Sequence, residues 1–151
     1  MTTYHDVPAD ALIEALADRL ADRLDEPDWA AYTKSGANKE LPPEEDGFWE
    51  TRAASLLRRI ATDGPVGVER LSTHYGGAKA GSTRYGFAPA RRSDGSKNVI
   101  RTILQQLEDE DLIATSESRG RRVTGEGRSL LDETAGEVLE ELDRPELERY
   151  I

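Results

Sequence analysis

Apolar residues recur at helical spacing along most of this chain and follow a strand-like pattern only within residues 112–124. Repeats of three and four place one apolar stripe on each of several segments, as in amphipathic helices packed on a shared core. Two short segments separated by a turn that contains Gly120 predict a β-hairpin over residues 112–116 and 121–124. The predicted helices cover residues 8–25, 49–62, a short stretch from Val68 to Gly76-Gly77, 97–110 and 125–142.

The order of these elements predicts the fold. A helix, a short helix, a long loop, another helix and a hairpin follow one another as in a winged helix-turn-helix. This core spans residues 49–124, with the hairpin as its wing, and one further helix flanks it on each side. Ser96 and Thr124 are suited to cap the helices that follow them, because a hydroxyl there accepts a hydrogen bond from an early backbone amide. The 151 residues are expected to form one domain of mainly α class.

Two segments lack periodic apolar positions. Residues 26–48 are rich in proline and charge, so we expect an irregular connector there. Four aromatic residues are expected to attach this connector to the core: Trp29, Tyr32, Phe48 and Trp49. Residues 78–95 combine small, basic and aromatic side chains in a long loop, and long ordered loops of small domains tend to be functional.

The distribution of charge indicates both the solvent and the partner. The chain has 30 acidic and 20 basic residues and a formal net charge of −10. Both ends are acidic, whereas residues 52–101 hold ten bases and only three acids. Sixteen bases are arginine and four are lysine, and dense carboxylates with few lysines suit a cytosol with molar salt. We therefore expect a halophilic source, in which the acidity reflects the solvent and the cationic centre reflects the partner.

Few residues suit catalysis or metal binding. The sequence has no cysteine, and its two histidines, His5 and His74, are not at ligand spacing. It also lacks the glycine motifs that bind phosphates of nucleotides and the motifs that carry a catalytic nucleophile. We therefore expect no enzyme, cofactor, metal site or small-molecule substrate. Acids at every fourth position of the first helix are typical of a solvated face: Asp10, Glu14, Asp18 and Asp22.

The hydropathy pattern gives no indication of a membrane. No stretch approaches eighteen consecutive apolar residues, and residues 1–6 have neither the basic nor the apolar region of a signal peptide. We expect a cytoplasmic protein.

The remaining chemistry is a basic segment interleaved with aromatic residues. Arginine grips a phosphate through two donors and stacks on a base, and Tyr85 and Phe87 offer aromatic faces. Surface ion pairs are the competing interpretation, but arginines in such pairs should intersperse with acids, and here they segregate. We therefore predict an RNA-binding surface. Its candidate residues are Arg52, Arg58, Arg59, Lys79, Arg84, Tyr85, Arg91, Arg92, Lys97, Arg101, Arg119, Arg121 and Arg122.

Short motifs occur in a specific order over nearly the whole chain. They include Asp6-Val7-Pro8, Pro27-Asp28-Trp29-Ala30, Thr51-Arg52-Ala53-Ala54-Ser55, Tyr75-Gly76-Gly77, Gly95-Ser96-Lys97 and Gly120-Arg121-Arg122-Val123-Thr124. In order and spacing they resemble the e-type S-nineteen family of small-subunit ribosomal proteins of archaea and eukaryotes.

The resemblance implies a mostly helical, winged-helix-like protein in the head of the small subunit, associated with ribosomes in the cytoplasm. It implies contacts with ribosomal RNA and with neighbouring ribosomal proteins, and a part in subunit maturation. The RNA-facing positions would be Arg52, the loop after Tyr75-Gly76-Gly77 and the start of the following helix.

Two features depart from that family, and one alternative stays open. Family members are usually basic, which the halophilic interpretation reconciles with this acidic chain, and Pro89-Ala90-Arg91-Arg92 stands where the family often has a Pro-Ser-His-like stretch. The alternative is a winged-helix transcription regulator that binds DNA, since residues 121–124 also resemble the wing of that superfamily. A regulator should dimerise to match a two-fold operator, and the acidic terminal helices offer little apolar surface for a dimer.

Overall fold

The computed structural model describes residues 3–36, 39, 41–43, 47–79, 91–116 and 120–142, without the side chains of Lys79 and Arg91. Within these ranges the chain is mainly helical, as the sequence predicts, and has two small antiparallel sheets, of which the sequence predicts one. The α-helices are α1 (Ala9–Leu20), α2 (Phe48–Asp63), α3 (Val68–His74), α4 (Lys97–Asp109) and α5 (Gly125–Leu142). The strands are β1 (Gly77–Lys79), β2 (Arg91–Ser93), β3 (Ile113–Ser116) and β4 (Gly120–Val123). Short 3-10 helices span Tyr4–Asp6 and Asp28–Tyr32.

The apolar stripes meet in one core around α2. Leu56, Leu57 and Ile60 of α2 are completely buried, and α1, α4 and α5 pack around this helix. The inward face of α4 is the predicted one, and each Leu or Ile buried in this way stabilises the fold by about 1.5–3 kcal/mol. Its buried residues are Val99, Ile100, Ile103, Leu104 and Leu107.

The predicted hydroxyl caps of α4 and α5 are confirmed. Ser96 Oγ accepts from the amide of Val99 at 3.3 Å, and Thr124 Oγ1 accepts from the amide of Gly127 at 3.1 Å. The start of α4 is also held by α3, because Ser72 Oγ donates to the carbonyl of Gly95 at 2.9 Å. These contacts fix the first turn of α4 beside α3.

The first helix is shorter than the predicted range of residues 8–25. It ends at Leu20, and the amide of Arg23 bonds the carbonyl of Leu20 at 2.9 Å in a tighter turn. Leu24 stays buried because this turn keeps it over the core, so the apolar spacing continues past the end of the helix.

The segment after α3 differs from the prediction. Neither Gly76 nor Gly77 has a positive φ, so they are not the expected helix cap. Gly76 is instead needed for space, since a Cβ there would lie 2.1 Å from the carbonyl oxygen of Ser93. Parts of the predicted loop over residues 78–95 form the β1–β2 pair, with Ala78 opposite Arg92. These three-residue strands are too short to show an alternating pattern.

The predicted wing is the β3–β4 hairpin, with Thr115 opposite Arg121. A third segment extends it, because Val66 and Arg121 exchange backbone hydrogen bonds of 3.0 and 2.9 Å. Gly120 has φ of 91°, and a Cβ there would lie 2.4 Å from the carbonyl oxygen of Val66. Glycine is therefore required where the wing crosses this segment.

The connector before α2 is attached to the core by some of its aromatic residues. Trp49 is completely buried, and Trp29 packs on it edge to face with ring centroids 5.7 Å apart. Trp49 Nε1 donates to Gln106 of α4 at 2.8 Å. The expectation for Tyr32 is wrong, since its side chain is 84% exposed.

Candidate nucleic-acid interface

Arg52 is held between two aromatic rings on the outer side of α2. Its guanidinium carbon lies 5.1 Å from the ring centroid of Phe48, one turn earlier, and 4.2 Å from that of Tyr75. The hydroxyls of Tyr75 and Ser55 are 2.5 Å apart and share a hydrogen bond, which fixes the Tyr75 ring. Partial burial lowers the pKa of Arg52 and raises that of Tyr75. Arg52 nevertheless stays charged at physiological pH, so it is a fixed cation.

Arg58 and Arg59 follow on the next turns of α2. Arg59 Nε bonds Asp63 Oδ2 at 2.7 Å, an ion pair between residues four apart. The Nε of Arg58 is buried and has no hydrogen-bond partner among the described residues. A buried donor of this kind is costly unless something satisfies it.

Cationic side chains from three elements meet at the end of α3. His74, the last residue of α3, is exposed and packs edge to face on Tyr75 at 4.8 Å. Arg92 of β2 donates from Nη2 to the carbonyl of Thr73 at 2.6 Å. We call His74 with Arg52, Arg59 and Arg92 the His74 cluster. The pKa of His74 is lowered, mainly by burial and then by Arg59, with smaller effects of Arg52 and Arg92 that Asp63 partly opposes.

A second group of bases lies where α3 and α4 begin. Lys97 Nζ bonds Glu69 Oε1 at 2.9 Å, and this hydrogen bond lowers the pKa of Glu69. Arg70 and Arg101 are exposed beside this pair, and no carboxylate of the described residues lies within 4 Å of either guanidinium. Arg101 also lowers the pKa of Glu69, so the two side chains are near each other.

The wing presents one of its two described arginines. Arg121 Nε bonds Glu108 Oε1 of α4 at 2.6 Å, and its side chain is only 20% exposed. Arg122, the next residue on β4, is exposed. Neighbouring residues of a strand point to opposite faces, so only Arg122 is presented to a partner.

The predicted RNA-binding residues thus fall into distinct environments. Arg52, Arg58, Arg59 and Arg92 lie around the end of α3, whereas Lys97 and Arg101 lie on α4. The expectation that segregated bases avoid ion pairs is wrong for Arg59, Lys97 and Arg121, whose acid partners come from nearby turns or another element. Lys79 and Arg91 are opposite each other on β1 and β2, and only their backbone is described.

Three of the predicted RNA-binding residues lie outside the described residues, and the sequence did not single out His74. Arg84, Tyr85 and Arg119 lie outside the described residues, as does Phe87. His74 was not among the predicted contacts, because a lone histidine on a short helix carries no signal before Arg59 and Arg92 are known to surround it.

Other site types find no support in the described part of the chain. It contains no group of three or more side chains able to hold a metal ion. None of its helices is both long and apolar enough to cross a membrane. Residues 75–96, with the β1–β2 pair, separate α3 from α4, whereas DNA-binding helix-turn-helix proteins use a turn of about three or four residues there.

Comparison with known proteins decides the family. The family model of ribosomal protein S19e matches residues 3–141. The chain belongs to the ribosomal protein S19e family. This confirms the resemblance seen in the sequence, and S19e proteins are structural proteins of the ribosome rather than enzymes.

Relatives of the S19e family are similar to this chain over its whole length. The small ribosomal subunit protein eS19 of Haloarcula marismortui is 60% identical over 152 residues, which cover 99% of each chain. The proteins of the same name from Aeropyrum pernix and Thermoplasma volcanium are 43% and 34% identical. They cover 97% and 100% of both chains, respectively. The genus name of the first relative, Haloarcula, agrees with the halophilic source that the charge composition predicts.

Proposed function

We propose that this protein is a structural constituent of the small ribosomal subunit that binds ribosomal RNA in the head and assists subunit maturation. Membership of the S19e family and the names of its relatives support the place in the small subunit. The observation that carries the RNA contact is the meeting of Arg52 and Arg59 of α2, His74 of α3 and Arg92 of β2 at the end of α3. In this proposal the partners are ribosomal RNA and neighbouring ribosomal proteins, on ribosomes in the cytoplasm.

The exposed arginines and the exposed acids of α1 lie on different elements, which supports a directed RNA contact. Arg92, Arg101 and Arg122 are exposed on three different elements. The acids Asp10, Glu14, Asp18 and Asp22 are all exposed on α1, as predicted for a solvated face. A phosphate backbone is repelled by α1 and attracted by the arginines, which orients the protein on its RNA.

Molar salt makes geometry more important than net charge. The Debye length at 1 M salt is about 3 Å, so only directly bonded phosphates and stacked bases contribute much. Arginine suits such contacts, because its planar donors match two phosphate oxygens at once. The Phe48–Arg52–Tyr75 stack places one guanidinium rigidly and so reduces the entropy lost on binding.

Binding of matched variants to ribosomal RNA tests this proposal. We expect the double variant Arg101→Ala/Arg122→Ala to bind small-subunit RNA about tenfold or more weakly in high salt, since each lost charge-assisted contact costs about 1–2 kcal/mol. The control Arg19→Ala/Arg23→Ala removes the same charge from arginines that pair with Glu137 and Glu110. Filter binding measures affinity, and thermal melts verify that each variant folds.

Two results would contradict the proposal. Equal losses of affinity in both double variants would show that the cationic face is not the RNA site. In cells, the tagged protein is expected to co-sediment with small subunits and to crosslink to their RNA. Recovery on chromosomal DNA alone would favour the DNA-binding regulator.

A further inference from the structure

We propose that His74, Arg59 and Arg92 together hold one backbone phosphate of the bound RNA at the C-terminal end of α3. The inference rests on the proposed RNA-binding function and assigns to it a specific subsite. It also assigns a role to a histidine that no sequence motif singles out.

The three donors come from separate elements, and the fold fixes each of them. Arg59 is on α2 and is oriented by Asp63, at 2.7 Å from its Nε. Arg92 is on β2 and is oriented by the carbonyl of Thr73, at 2.6 Å from its Nη2. His74 is held edge to face against Tyr75, whose ring is fixed in turn by Ser55 and Arg52. Among the described residues, each of these two guanidinium groups contacts one protein oxygen through a single nitrogen, which leaves further donors for a phosphate.

The C-terminal end of a helix normally repels an anion, but in this structure Arg92 counteracts that repulsion at the end of α3. The last carbonyls of an α-helix carry partial negative charge. Here the Nη2 of Arg92 bonds the carbonyl of Thr73, so a positive group covers the end of α3. An anion that approaches His74 therefore meets the guanidinium of Arg92.

The charged groups around His74 determine how a bound phosphate would change the pKa of its imidazole. Arg52, Arg59 and Asp63 face it from α2, and Arg92 faces it from β2. The arginines outnumber the single acid, and with burial they lower the pKa of His74 in the free protein. A phosphate among these groups favours the imidazolium form, which offers two N–H donors instead of one. RNA binding should therefore raise the pKa of His74 and take up a proton.

Linkage gives the direction of the pH effect. A group whose pKa is higher in the complex strengthens binding below its free pKa, and this gain is lost as the pH rises through the pKa of the complex. A difference of one unit corresponds to a tenfold change in affinity. We expect the wild-type protein to bind RNA more tightly at pH 5.5 than at pH 8.

The test uses the full chain in molar KCl and a transcript of the small-subunit RNA domain that forms the head. Filter binding should show that the affinity of the wild type rises as the pH falls from 8 to 5.5. His74→Gln should bind with little pH dependence and at the weaker affinity. His74→Arg carries a permanent charge and should bind tightly at every pH. His5→Gln is the control, since it removes the other histidine and should behave as the wild type.

A direct readout comes from the imidazole resonances, because the protein has only two histidines. Addition of RNA should raise the NMR-derived pKa of His74, while the His5 resonance should not move at constant pH. Wild-type binding that is equally tight at pH 5.5 and 8, with an unmoved His74 resonance, would overturn the phosphate subsite and leave RNA binding intact. Absence of RNA binding at every pH would overturn the proposed function, and the subsite with it.

Discussion

Arg121 of the wing donates from Nε to Glu108 Oε1 of α4 across 2.6 Å, and the same oxygen accepts from Thr115 Oγ1 at 2.6 Å. Thr115 and Arg121 are opposite each other on β3 and β4, so one carboxylate holds both wing strands against α4. A basic wing residue that sequence reasoning assigned to RNA is thus engaged within the protein. Its neighbour Arg122 is exposed.

We expect Arg121→Ala and Glu108→Ala each to lower the free energy of unfolding by about 1–2 kcal/mol. The reason is the loss of a short charge-assisted hydrogen bond that is only partly exposed. The double variant should be scarcely less stable than Glu108→Ala, because that single variant already removes the bond to Arg121 together with the bond to Thr115. Urea denaturation of the three variants in molar KCl gives the coupling energy, and fully additive losses would show that the pair contributes nothing.

Two glycines of α5 are expected to respond to alanine in opposite directions. A Cβ on Gly127 would lie 2.2 Å from the backbone oxygen of Leu112, so Gly127→Ala must displace the helix from the wing. Nothing lies within 4 Å of a Cβ on Gly136, and alanine is the better helix former by about 0.5–1 kcal/mol. Melting curves should show a clear loss for Gly127→Ala and a small gain for Gly136→Ala. A destabilised Gly136→Ala would contradict this account.

Sequence reasoning succeeds where one local pattern determines the structure. The apolar spacing of residues 97–110 defines α4 and all five of its buried residues, and Ser96 identifies its first turn. The hairpin of residues 112–124 is equally visible, because its turn glycine separates two short segments that contain β-branched residues. These features depend on residues a few positions apart, so the sequence contains the information directly.

Sequence reasoning fails where the structure depends on a partner that is distant in the chain. The backbone of β1 forms its hydrogen-bond ladder with β2. The segment between these strands has no apolar periodicity that would predict the pairing of Ala78 with Arg92. The ion pair of Lys97 with Glu69 likewise joins two helices, so counting charges along residues 52–101 did not reveal it. The His74 cluster forms for the same reason, from groups that only the fold brings together.

The acidic faces predict a requirement for salt. The carboxylates along α1 are exposed and repel one another at low ionic strength, and the acids of α5 add to that field. Far-UV circular dichroism should show incomplete helicity or a much lower melting midpoint in dilute buffer than in molar KCl. Full helicity and an unchanged midpoint in dilute buffer would show that the arginine pairs Arg19–Glu137 and Arg23–Glu110 already compensate the repulsion.

The lowered pKa of His74 also predicts how stability depends on pH without RNA. In the folded protein, burial and the nearby Arg59 disfavour the imidazolium form, whereas in the unfolded chain the pKa has its ordinary value of about 6.5. Between these two pKa values the unfolded state binds more protons, so stability falls as the pH decreases through this window. Well above the unfolded-state pKa of about 6.5, both states are neutral at this residue and the contribution vanishes.

We therefore compare the stability of His74→Gln with that of the wild type at each pH. We expect this difference to favour the variant more at pH 5 than at pH 8. Urea midpoints of both proteins at the two pH values, in molar KCl, measure this difference. The measured quantity is the difference between the two proteins, so pH effects that they share cancel. His5→Gln serves as the control and should show the same difference from the wild type at both pH values. If the His74→Gln difference is also independent of pH, the arginines around His74 do not disfavour its protonation, and the direction of its pKa shift given above is wrong.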